Sequence, residues 1–415
     1  MRAAAATEFG LPRLLAGVRR DGLPLNLGMH HRLHGPLPSA RGLIELVTAS
    51  GLRGRGGAGF PAGKKLAAVA SARKRPVVVA NGAEGEPVSS KDKRLLHRAP
   101  HLVLDGAALA AAALGARDVF VALDSTAGEE LGAVGNALEE RRDRGLRWHL
   151  SVVPPGFVTG EETALVAALE GREAKPAFTP PRPFERGLRG APTLVQNVET
   201  LADVALVARH GPEWFRALGT HDEPGSALFT VSGAVGRPGV YEAALGTPLQ
   251  ALIAQAGGVR GVPGACLVGG FFGSWLEPFA AQSLRLLDAE LGREGAALGA
   301  GAIVVLPAAA CGLDQTARVV RYLADESAGQ CGPCVHGLAA LAGAVETVAA
   351  GRADSRPAAL RWLRQIRGRG ACRHPDGVVR FVESSLDVFA SEIELHLQGR
   401  CSGRRGEFLL TTRRA

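Results

Sequence analysis

Two cysteines stand three positions apart in the segment E-S-A-G-Q-C-G-P-C, which runs from Glu326 to Cys334. A C-x-x-C pair lets one loop present two thiolates to a single metal ion or iron–sulfur cluster. A cysteine three positions before Cys331 would complete C-x-x-C-x-x-C, but that position holds Ala328. Taken alone, this loop is either a cluster site that lacks one ligand or a loop that never held a cluster.

A second chemically suggestive segment is G-L-R-G-R-G-G-A-G-F-P-A-G-K-K, from Gly51 to Lys65, with six glycines in fifteen residues. Glycine lets the backbone approach a ligand and point successive N–H groups at phosphate oxygens, and the basic residues complement that charge. The segment lacks the ending of a Walker A loop, and no strong strand precedes it as in a Rossmann fingerprint. On its own, such a loop is more often a flexible linker than a nucleotide site.

Two polar loops follow predicted strands. N-G-A-E-G-E-P, from Asn81 to Pro87, offers an amide and two carboxylates that could hydrogen-bond a ring or a ribose. G-E-E-T-A-L-V-A-A-L-E-G, from Gly160 to Gly171, opens a helix with two glutamates, which suits the helix dipole. Solvated acidic residues and plain helix capping are the alternative interpretations of these two loops.

The elements that must position these loops are strands that alternate with helices. Segments Pro76–Asn81, Asp118–Leu123 and His149–Val153 are short, rich in β-branched residues, and separated by helical patterns. This alternation predicts an α/β fold with a parallel sheet, which binds ligands at the carboxyl ends of its strands. The two polar loops are therefore expected at one edge of that sheet.

The second half of the chain has a different pattern of predicted strands and helices. From about Gly225 two strands surround a Gly/Pro turn and precede a helix at about Pro248–Ala256, which predicts a small α+β unit. From about Leu313 apolar residues recur at helical spacing to near the end. The polar, basic segment after Cys401 is expected to be disordered.

Composition excludes several functional classes. The 415 residues are 46% hydrophobic and 21% charged, and no run of eighteen apolar residues occurs, so no membrane span and no secretory signal are expected. Six cysteines are too few for a disulfide scaffold, which indicates reduced thiols in a cytoplasm. A net charge of +8 with scattered arginines and 5% aromatic residues argues against nucleic acid and fits a solvated surface or an acidic electron-transfer partner.

Four motifs occur together in the chain: R-G-R-G-G-A-G-F-P, N-x-x-E-G-E-P, G-E-E-T-A-L with L-E-G, and Q-N-V-E-T-L-A. In order and spacing they resemble the flavin- and NADH-binding F subunit of respiratory complex I, the NADH-quinone oxidoreductase, and the chain is identified as a divergent member of that family. The diaphorase subunits of bidirectional hydrogenases and NAD-dependent formate dehydrogenases share this module. The resemblance runs from about Leu43 to about Leu397.

The resemblance implies a domain organisation. A Rossmann-like domain that binds FMN and NAD(P)H is expected at 43–215, and a small ubiquitin-like β-grasp (soluble-ligand-binding) domain at 224–308. A C-terminal four-helix bundle at 313–400 is expected to carry one [4Fe-4S] cluster. An N-terminal extension, 1–42, and a flexible basic tail, 401–415, flank these three domains.

The resemblance also implies cofactors and site residues. NADH or NADPH would give a hydride to FMN, which then releases single electrons to the cluster, while protein groups position the two rings. The implied FMN site is Gly54, Arg55, Gly57, Lys65, Asn81, Glu84, Gly160, Glu161, Glu162, Asn197 and Thr200. The dinucleotide site is Gly56, Gly57, Ala58, Gly59, Phe60 and Glu86, and Glu86 and Glu162 are the carboxylates assigned to the catalytic site. The implied partner is a ferredoxin-like protein, a [2Fe-2S] subunit or a larger oxidoreductase.

The chain departs from the family pattern around the nucleotide. Ala68 and Arg182 stand where the family has phenylalanines that sandwich the adenine, and Thr179 replaces a lysine. Other replacements are Ala83, Phe157 and Gln196. Arg182 could stack on adenine or pair with a 2′-phosphate, which would make NADPH the donor. The alternative hypothesis is a divergent flavoprotein without a working cluster or nicotinamide site, acting as an electron-transfer or structural subunit.

For the cluster, the resemblance implies Cys331, Cys334 and Cys372 as ligands. With Ala328 in place of the first cysteine, the fourth ligand could be His336 or His374, or the cluster could be of the [3Fe-4S] type. The remaining thiols, Cys266, Cys311 and Cys401, lie outside the family pattern and are expected to be buried or incidental.

Overall fold

The computed structural model describes residues 10–18, 21–406 and 410. Within the predicted N-terminal extension, residues 1–9 and 19–20 therefore lie outside the described chain. Within the predicted tail, residues 407–409 and 411–415 do so as well.

The first sheet has four parallel strands in the order β3-β2-β1-β4. Three of these strands match the predicted segments, and the fourth was not predicted as a strand. The T-L-V-Q-N sequence of that strand is too short to show a two-residue period. The strands are β1 (Val77–Asn81), β2 (Asp118–Asp124), β3 (Arg147–Val153) and β4 (Thr193–Asn197).

Helices cover both faces of this sheet. Val78 and Ala80 of β1 face a core formed largely by α5 and α9, while Val79 faces a smaller core that includes α7. Gly106 allows α5 and α9 to pack closely, because a Cβ there would lie 1.8 Å from the carbonyl oxygen of Leu201. The helices are α1 (Leu27–His34), α2 (Leu43–Ser50), α3 (Ala62–Ala70), α4 (Lys91–Arg98), α5 (Pro100–Leu114), α6 (Gly128–Glu140), α7 (Glu162–Leu169), α8 (Pro183–Arg186) and α9 (Val198–Arg216).

The second sheet is mixed, in the order β6-β5-β9-β7-β8. The central strand β9 is parallel to β5, and every other neighbouring pair is antiparallel, which is the arrangement of a β-grasp unit. The strands are β5 (Ser226–Gly233), β6 (Gly239–Ala244), β7 (Pro263–Val268), β8 (Ser274–Leu276) and β9 (Ala302–Pro307). The helices of this unit are α10 (Leu249–Gln255), which matches the predicted one, α11 (Pro278–Ser283) and α12 (Asp288–Leu291).

Helices dominate the chain from Gly312 onward. The first four pack on one another as a bundle, and a π-helical turn at Pro333–Gly337 leads into the second of them. Trp275 joins the second sheet to this bundle: its backbone N–H donates to Ser384 Oγ at 3.0 Å, and its indole N–H donates to Thr316 Oγ1 at 3.2 Å. The helices are α13 (Gly312–Asp325), α14 (Leu338–Ala349), α15 (Ser355–Ile366), α16 (His374–Val388) and α17 (Ala390–Leu397).

The described part of the predicted tail is tied to the body of the protein. Arg404 forms an isolated β-bridge with Ala310, and its backbone N–H donates to the carbonyl oxygen of Ala309 at 2.6 Å. Leu410 is fully buried, and its N–H donates to Gln315 Oε1 at 3.1 Å. These contacts lie within the segment predicted to be a flexible tail, and its flexibility stays a prediction. Composition indicated a solvated segment but could not show the backbone pairing with Ala309 and Ala310.

Among the helices of the described chain, none combines the length and the apolar character that crossing a bilayer requires.

Candidate functional site

The glycine-rich loop folds back on itself between α2 and α3. The N–H of Gly54 donates to the carbonyl oxygen of Phe60 at 2.8 Å, which closes the loop. The N–H of Arg55 donates to Thr200 Oγ1 at 2.8 Å, which fastens the loop to the first turn of α9. Gly57 has a φ of +99°, a backbone conformation that side chains other than hydrogen rarely allow. The loop is thus a fixed turn beside the carboxyl end of β4.

The carboxyl ends of the first sheet meet the second polar loop. Asn81, the last residue of β1, donates from Nδ2 to the carbonyl oxygen of Gly160 at 2.9 Å. Glu161 caps α7, because its Oε2 accepts from the N–H groups of Thr163 and Ala164 at 2.9 and 3.0 Å. The loop after β1 and the loop before α7 therefore lie together, as predicted for one edge of a parallel sheet.

Three charged side chains converge at the start of α7. Lys65 Nζ lies 2.9 Å from Glu162 Oε2, and Arg182 Nη1 lies 3.7 Å from Glu162 Oε1. Lys65 and Glu162 are each about one-fifth exposed, while Arg182 is more than half exposed. Two cations and the carboxylates of Glu161 and Glu162 therefore meet at this helix N-terminus, and their charges balance.

The buried cluster next to Asn197 was not found by sequence reasoning. Lys91 Nζ lies 2.6 Å from Asp92 Oδ1 and 2.8 Å from Glu199 Oε2, and Asn197 donates from Nδ2 to Asp92 Oδ2 at 2.6 Å. Burial alone would lower the pKa of Lys91, but the two carboxylates outweigh it and raise that pKa, so the lysine stays charged. The sequence feature that could have indicated this cluster is Glu199, the acidic residue of Q-N-V-E-T, at the start of an apolar helix.

Glu84 and Glu86 make contacts that the sequence did not reveal. Glu84 accepts from Ser89 Oγ at 2.6 Å and from the N–H groups of Asp92 and Lys93 at 3.2 and 3.1 Å, so it caps α4. Burial, with the charge of Asp92 adding to it, raises the pKa of Glu84 to about 7. Glu84 therefore fixes α4 and its buried lysine.

Glu86 points toward the second sheet. Its Oε2 accepts from the N–H of Phe271 at 2.8 Å, in the loop between β7 and β8. Burial raises the pKa of Glu86 to about 8, although hydrogen bonds from Phe271 and Val88 oppose that rise. Within the described chain, the carboxyl of Glu86 accepts hydrogen bonds from the N–H groups of Val88 and Phe271, and no hydrogen bond joins it to Lys65 or Glu162.

The guanidinium of Arg55 also lies away from the glycine-loop backbone. It is buried, donates from Nη2 to the carbonyl oxygen of Ser226 at 2.9 Å, and lies 3.6 Å from Asp203. Its side chain thus anchors the loop to β5. Phe60, by contrast, is 53% exposed, so its ring is accessible to a ligand.

The structure brings Cys331, Cys334 and Cys372 together. Desolvation would raise the pKa of Cys331, but N–H groups of Ala371 and Cys334 point at its sulfur and lower it. Burial, followed by the neighbouring thiols, raises the pKa of Cys334 to about 11. Burial also raises the pKa of Cys372, and the charge of Cys331 adds to that rise. Each of these thiols is thus within electrostatic reach of another.

The two histidines considered as fourth ligands differ in access. His374 is 2% exposed, its Nε2 donates to the carbonyl oxygen of Leu323 at 2.8 Å, and its ring packs edge-on against Phe157 and Phe272. That hydrogen bond uses Nε2 of His374 and leaves Nδ1, which is buried without a hydrogen-bond partner, as its only possible ligand atom. His336 is exposed on the π-helical turn.

The cysteine loop is fastened to the polar loops of the first sheet. The N–H of Phe157 donates to Glu326 Oε2 at 2.7 Å, and Gln330 Nε2 donates to the carbonyl oxygen of Pro176 at 2.9 Å. The carboxylate of Glu161 is close enough to raise the pKa of Cys372, after burial as the main cause. The cysteine loop therefore lies against the segment 157–176, which also carries Glu161 and Glu162.

Comparison with known families agrees with this geometry. Residues 47–206 match the Nuo51 FMN-binding domain, 228–264 match the SLBB domain, and 314–396 match the NADH-ubiquinone oxidoreductase-F iron-sulfur binding region. The F subunit of the Streptomyces coelicolor NADH-quinone oxidoreductase is 36% identical over 380 residues, which cover 86% of this chain and 83% of the relative. The F 2 subunit of the Rhizobium meliloti enzyme is 32% identical over 375 residues, which cover 86% and 89%.

The chain belongs to the family of the NADH-quinone oxidoreductase F subunit. A crystal structure of NAD⁺-reducing [NiFe]-hydrogenase in the H₂-reduced state is also similar to this F-type chain, with a TM-score of 0.81 and 30% identity. The match covers 91% of this chain and 66% of the hydrogenase chain, so the protein spans just under two-thirds of that chain.

Family membership, with its FMN-binding and iron–sulfur regions, shows what this F-type chain does. It is an NADH-oxidising flavoprotein that passes electrons from FMN to an iron–sulfur cluster. The residues present fit both groups. The glycine loop is fixed against the first turn of α9, and Gly56 approaches Asn197 so closely that a Cβ there would lie 3.3 Å from the Asn197 Cβ. Three neighbouring thiols form a partial cluster site.

Proposed function

We propose that this F-type chain binds FMN in the crevice between the glycine-rich loop and the carboxyl ends of β1 and β4, and delivers electrons through Cys331, Cys334 and Cys372 to a partner carrier. The observation that carries the proposal is the pair of hydrogen bonds, Phe157 to Glu326 and Gln330 to Pro176, that fastens the thiol loop to the flavin domain. A short, fixed path between the two centres is what an electron-input module requires.

FMN, when bound, accepts a hydride and releases single electrons, and the chain's own residues position it. The N–H groups of the glycine loop and the Lys65 ammonium hold phosphate oxygens. Asn81 and Asn197, at the ends of two neighbouring strands, hold the ring system. The residues proposed for this FMN site are Gly54, Gly57, Lys65, Asn81, Gly160, Glu161, Glu162, Asn197 and Thr200, with Arg55 and Glu84 supporting it from behind.

For the nicotinamide nucleotide we assign Gly56, Gly57, Ala58, Gly59 and the exposed ring of Phe60. Glu162 is the catalytic-site carboxylate, because it lies at the start of α7 between two cations. Glu86, whose carboxyl accepts from Phe271, acts as a positioning residue that joins the loop after β1 to the second sheet. Neither carboxyl is required as a proton donor for hydride transfer.

NADPH is a second candidate donor, favoured by the surface beside Ala68. A cleft of about 690 Å³ opens there, where the family has a phenylalanine. Several cations line it and could pair with a 2′-phosphate. They are Arg73, Lys74, Arg186 and Arg189.

The cluster has three protein ligands in this proposal, because Ala328 cannot bind iron. Its electrons pass to a ferredoxin-like protein, a [2Fe-2S] subunit or a larger oxidoreductase, by analogy with relatives named as subunits of NADH-quinone oxidoreductase. We place the protein in the cytoplasm, since none of its six cysteines is paired in a disulfide.

The test is anaerobic purification of the full chain, followed by flavin and iron analysis and by EPR before and after addition of NADH or NADPH. Bound FMN that is bleached by nucleotide, with a cluster signal that develops afterwards, is the expected result. The Lys65→Ala variant should lose FMN, whereas Lys64→Ala, whose side chain is on the exposed face of the same helix, should keep it. Flavin that stays oxidised with both nucleotides would contradict the proposal.

A further inference from the structure

A second group of metal-binding side chains lies at the far end of the bundle. Cys311 stands just before α13, Glu392 and His396 lie one turn apart on α17, and Cys401 follows that helix. One ligand atom from each of these residues lies within 4.8 Å of the others. Cys311, Glu392 and His396 are buried. The group shares no residue with the thiols assigned to the iron–sulfur cluster.

The separations match those of a tetrahedral metal site. His396 Nε2 lies 3.5 Å from Cys311 Sγ and 3.0 Å from Glu392 Oε1. Zinc binds sulfur at about 2.3 Å and nitrogen or oxygen at about 2.0 Å, so tetrahedral ligands of these kinds stand about 3.3–3.6 Å apart. The observed separations fall at or slightly below this range without any rearrangement of the backbone.

The orientation of His396 fits a metal ligand. Its Nδ1 lies 2.6 Å from the carbonyl oxygen of Ala349, which can only accept, so Nδ1 carries the proton. Nε2 is therefore the ring nitrogen that faces the group, as in metal sites where the second ring nitrogen donates to a carbonyl. Nε2 lies beside both Glu392 Oε1 and Cys311 Sγ, so a cation placed between these atoms would be within reach of all three.

Glu392 is itself held in place. Its Oε1 accepts from the N–H of Ser402 at 2.9 Å, and its Oε2 accepts from the hydroxyl of the same serine. These bonds orient the carboxylate toward His396 and Cys401. Hydrogen-bonded support of this kind is the usual second layer of a metal site.

We propose that Cys311, Glu392, His396 and Cys401 bind one Zn²⁺ ion. Two thiolates, one imidazole and one carboxylate suit a borderline-soft ion without redox chemistry, and four protein ligands leave no open position. The site is thus structural. Cys311 and Cys401, which the family pattern left as incidental thiols, are ligands in this assignment.

The ion would fasten three parts of the chain at one point. Cys311 follows the last strand of the second sheet, and its N–H donates to the carbonyl oxygen of Arg404 at 3.2 Å. His396 belongs to the last helix, and Cys401 begins the segment that pairs with Ala309 and Ala310. Zinc binding therefore holds the C-terminal segment on the junction between the second sheet and the bundle.

The experiment measures zinc and iron per chain in the full-length protein purified without added metal. Wild type is expected to contain one equivalent of zinc, and Cys311→Ser and Cys401→Ser are expected to lose it. Cys266→Ser removes a buried thiol in β7 outside this group and should keep the zinc. Cys331→Ser should lose iron and keep zinc, which separates this site from the proposed cluster.

If the variants fail to fold, a measurement on the wild-type protein alone still tests the proposal. Zinc K-edge X-ray absorption should show about two sulfur neighbours near 2.3 Å and about two nitrogen or oxygen neighbours near 2.0 Å. Wild type without bound zinc, iron in place of zinc, an all-sulfur shell, or zinc retained by Cys401→Ser would each overturn the proposal.

Discussion

The backbone N–H of Phe157 donates a hydrogen bond to Glu326 Oε2 at 2.7 Å. Phe157 lies between β3 and α7 in the flavin domain, and Glu326 ends α13 just before the cysteine loop. The ring of Phe157 packs edge-on against Phe272 and His374, which come from the second sheet and from the start of α16. This one residue therefore contacts all three units, and Glu326 orients it.

Glu326→Ala should slow electron transfer from flavin to cluster without affecting reduction of the flavin. Losing a hydrogen bond to a carboxylate costs about 1.5–3 kcal/mol, enough to loosen the contact between the two loops. Stopped-flow absorbance should show flavin bleaching by NADH within about twofold of wild type and flavin reoxidation slowed about tenfold. Asp325→Asn, one residue earlier and exposed, is the control. Equal slowing of both phases would refute a role for this contact.

Ala328→Cys should complete the cluster site. Ala328 lies in the cysteine loop and is 9% exposed, so a thiol at this position replaces a small buried side chain. With three protein ligands, the wild-type cluster is expected to lose iron in air and to give a [3Fe-4S] EPR signal. The variant should suppress that signal and raise iron to about four per flavin. His336→Ala should leave the iron content unchanged, and loss of iron from this variant would identify His336 as the fourth ligand.

Much of the flavin domain could be predicted because its chemistry follows strand ends. Asn81 and Gly160 come after segments whose β-branched residues indicate strands, and parallel strands place such loops on one edge. What could not be predicted is where the side chains point. Glu86 and Arg55 belong to the motifs, but their partners, Phe271 and Ser226, lie more than 170 residues away in sequence.

The cluster loop shows the same limit. The spacing of Cys331 and Cys334 identifies a metal-binding loop, and its distance from Cys372 is consistent with an ordinary helical hairpin. The state of His374 depends on a carbonyl group at Leu323, which a backbone turn presents and no residue type encodes. Long-range backbone contacts of this kind decide which candidate ligand is free.

Ala68→Phe should improve the use of NADH. The phenylalanine would restore one stacking surface for adenine, and stacking of a base on an aromatic ring contributes about 1–3 kcal/mol. The KM for NADH should fall about tenfold or more with kcat unchanged, because the adenine is remote from the hydride. Ala67→Phe, on the exposed side of the same helix, is the matched control. If steady-state kinetics give the same KM for both variants, the cleft beside Ala68 does not receive the adenine.

Glu86→Gln should stabilise the protein increasingly as pH rises. Burial raises the pKa of Glu86 from 4.5 to about 8, so the folded protein keeps a proton that the unfolded chain loses between those values. The stability of wild type therefore falls through this window, while glutamine has no proton to lose. The variant should gain about 3–4 kcal/mol relative to wild type between pH 5 and pH 8, levelling off above. Thermal unfolding midpoints of wild type and variant, measured between pH 5 and pH 8, test this prediction, with the exposed Glu139→Gln as control. A difference that stays constant with pH would show that the Glu86 carboxyl is already ionised in the folded protein, and that the hydrogen bond from Phe271 outweighs its burial.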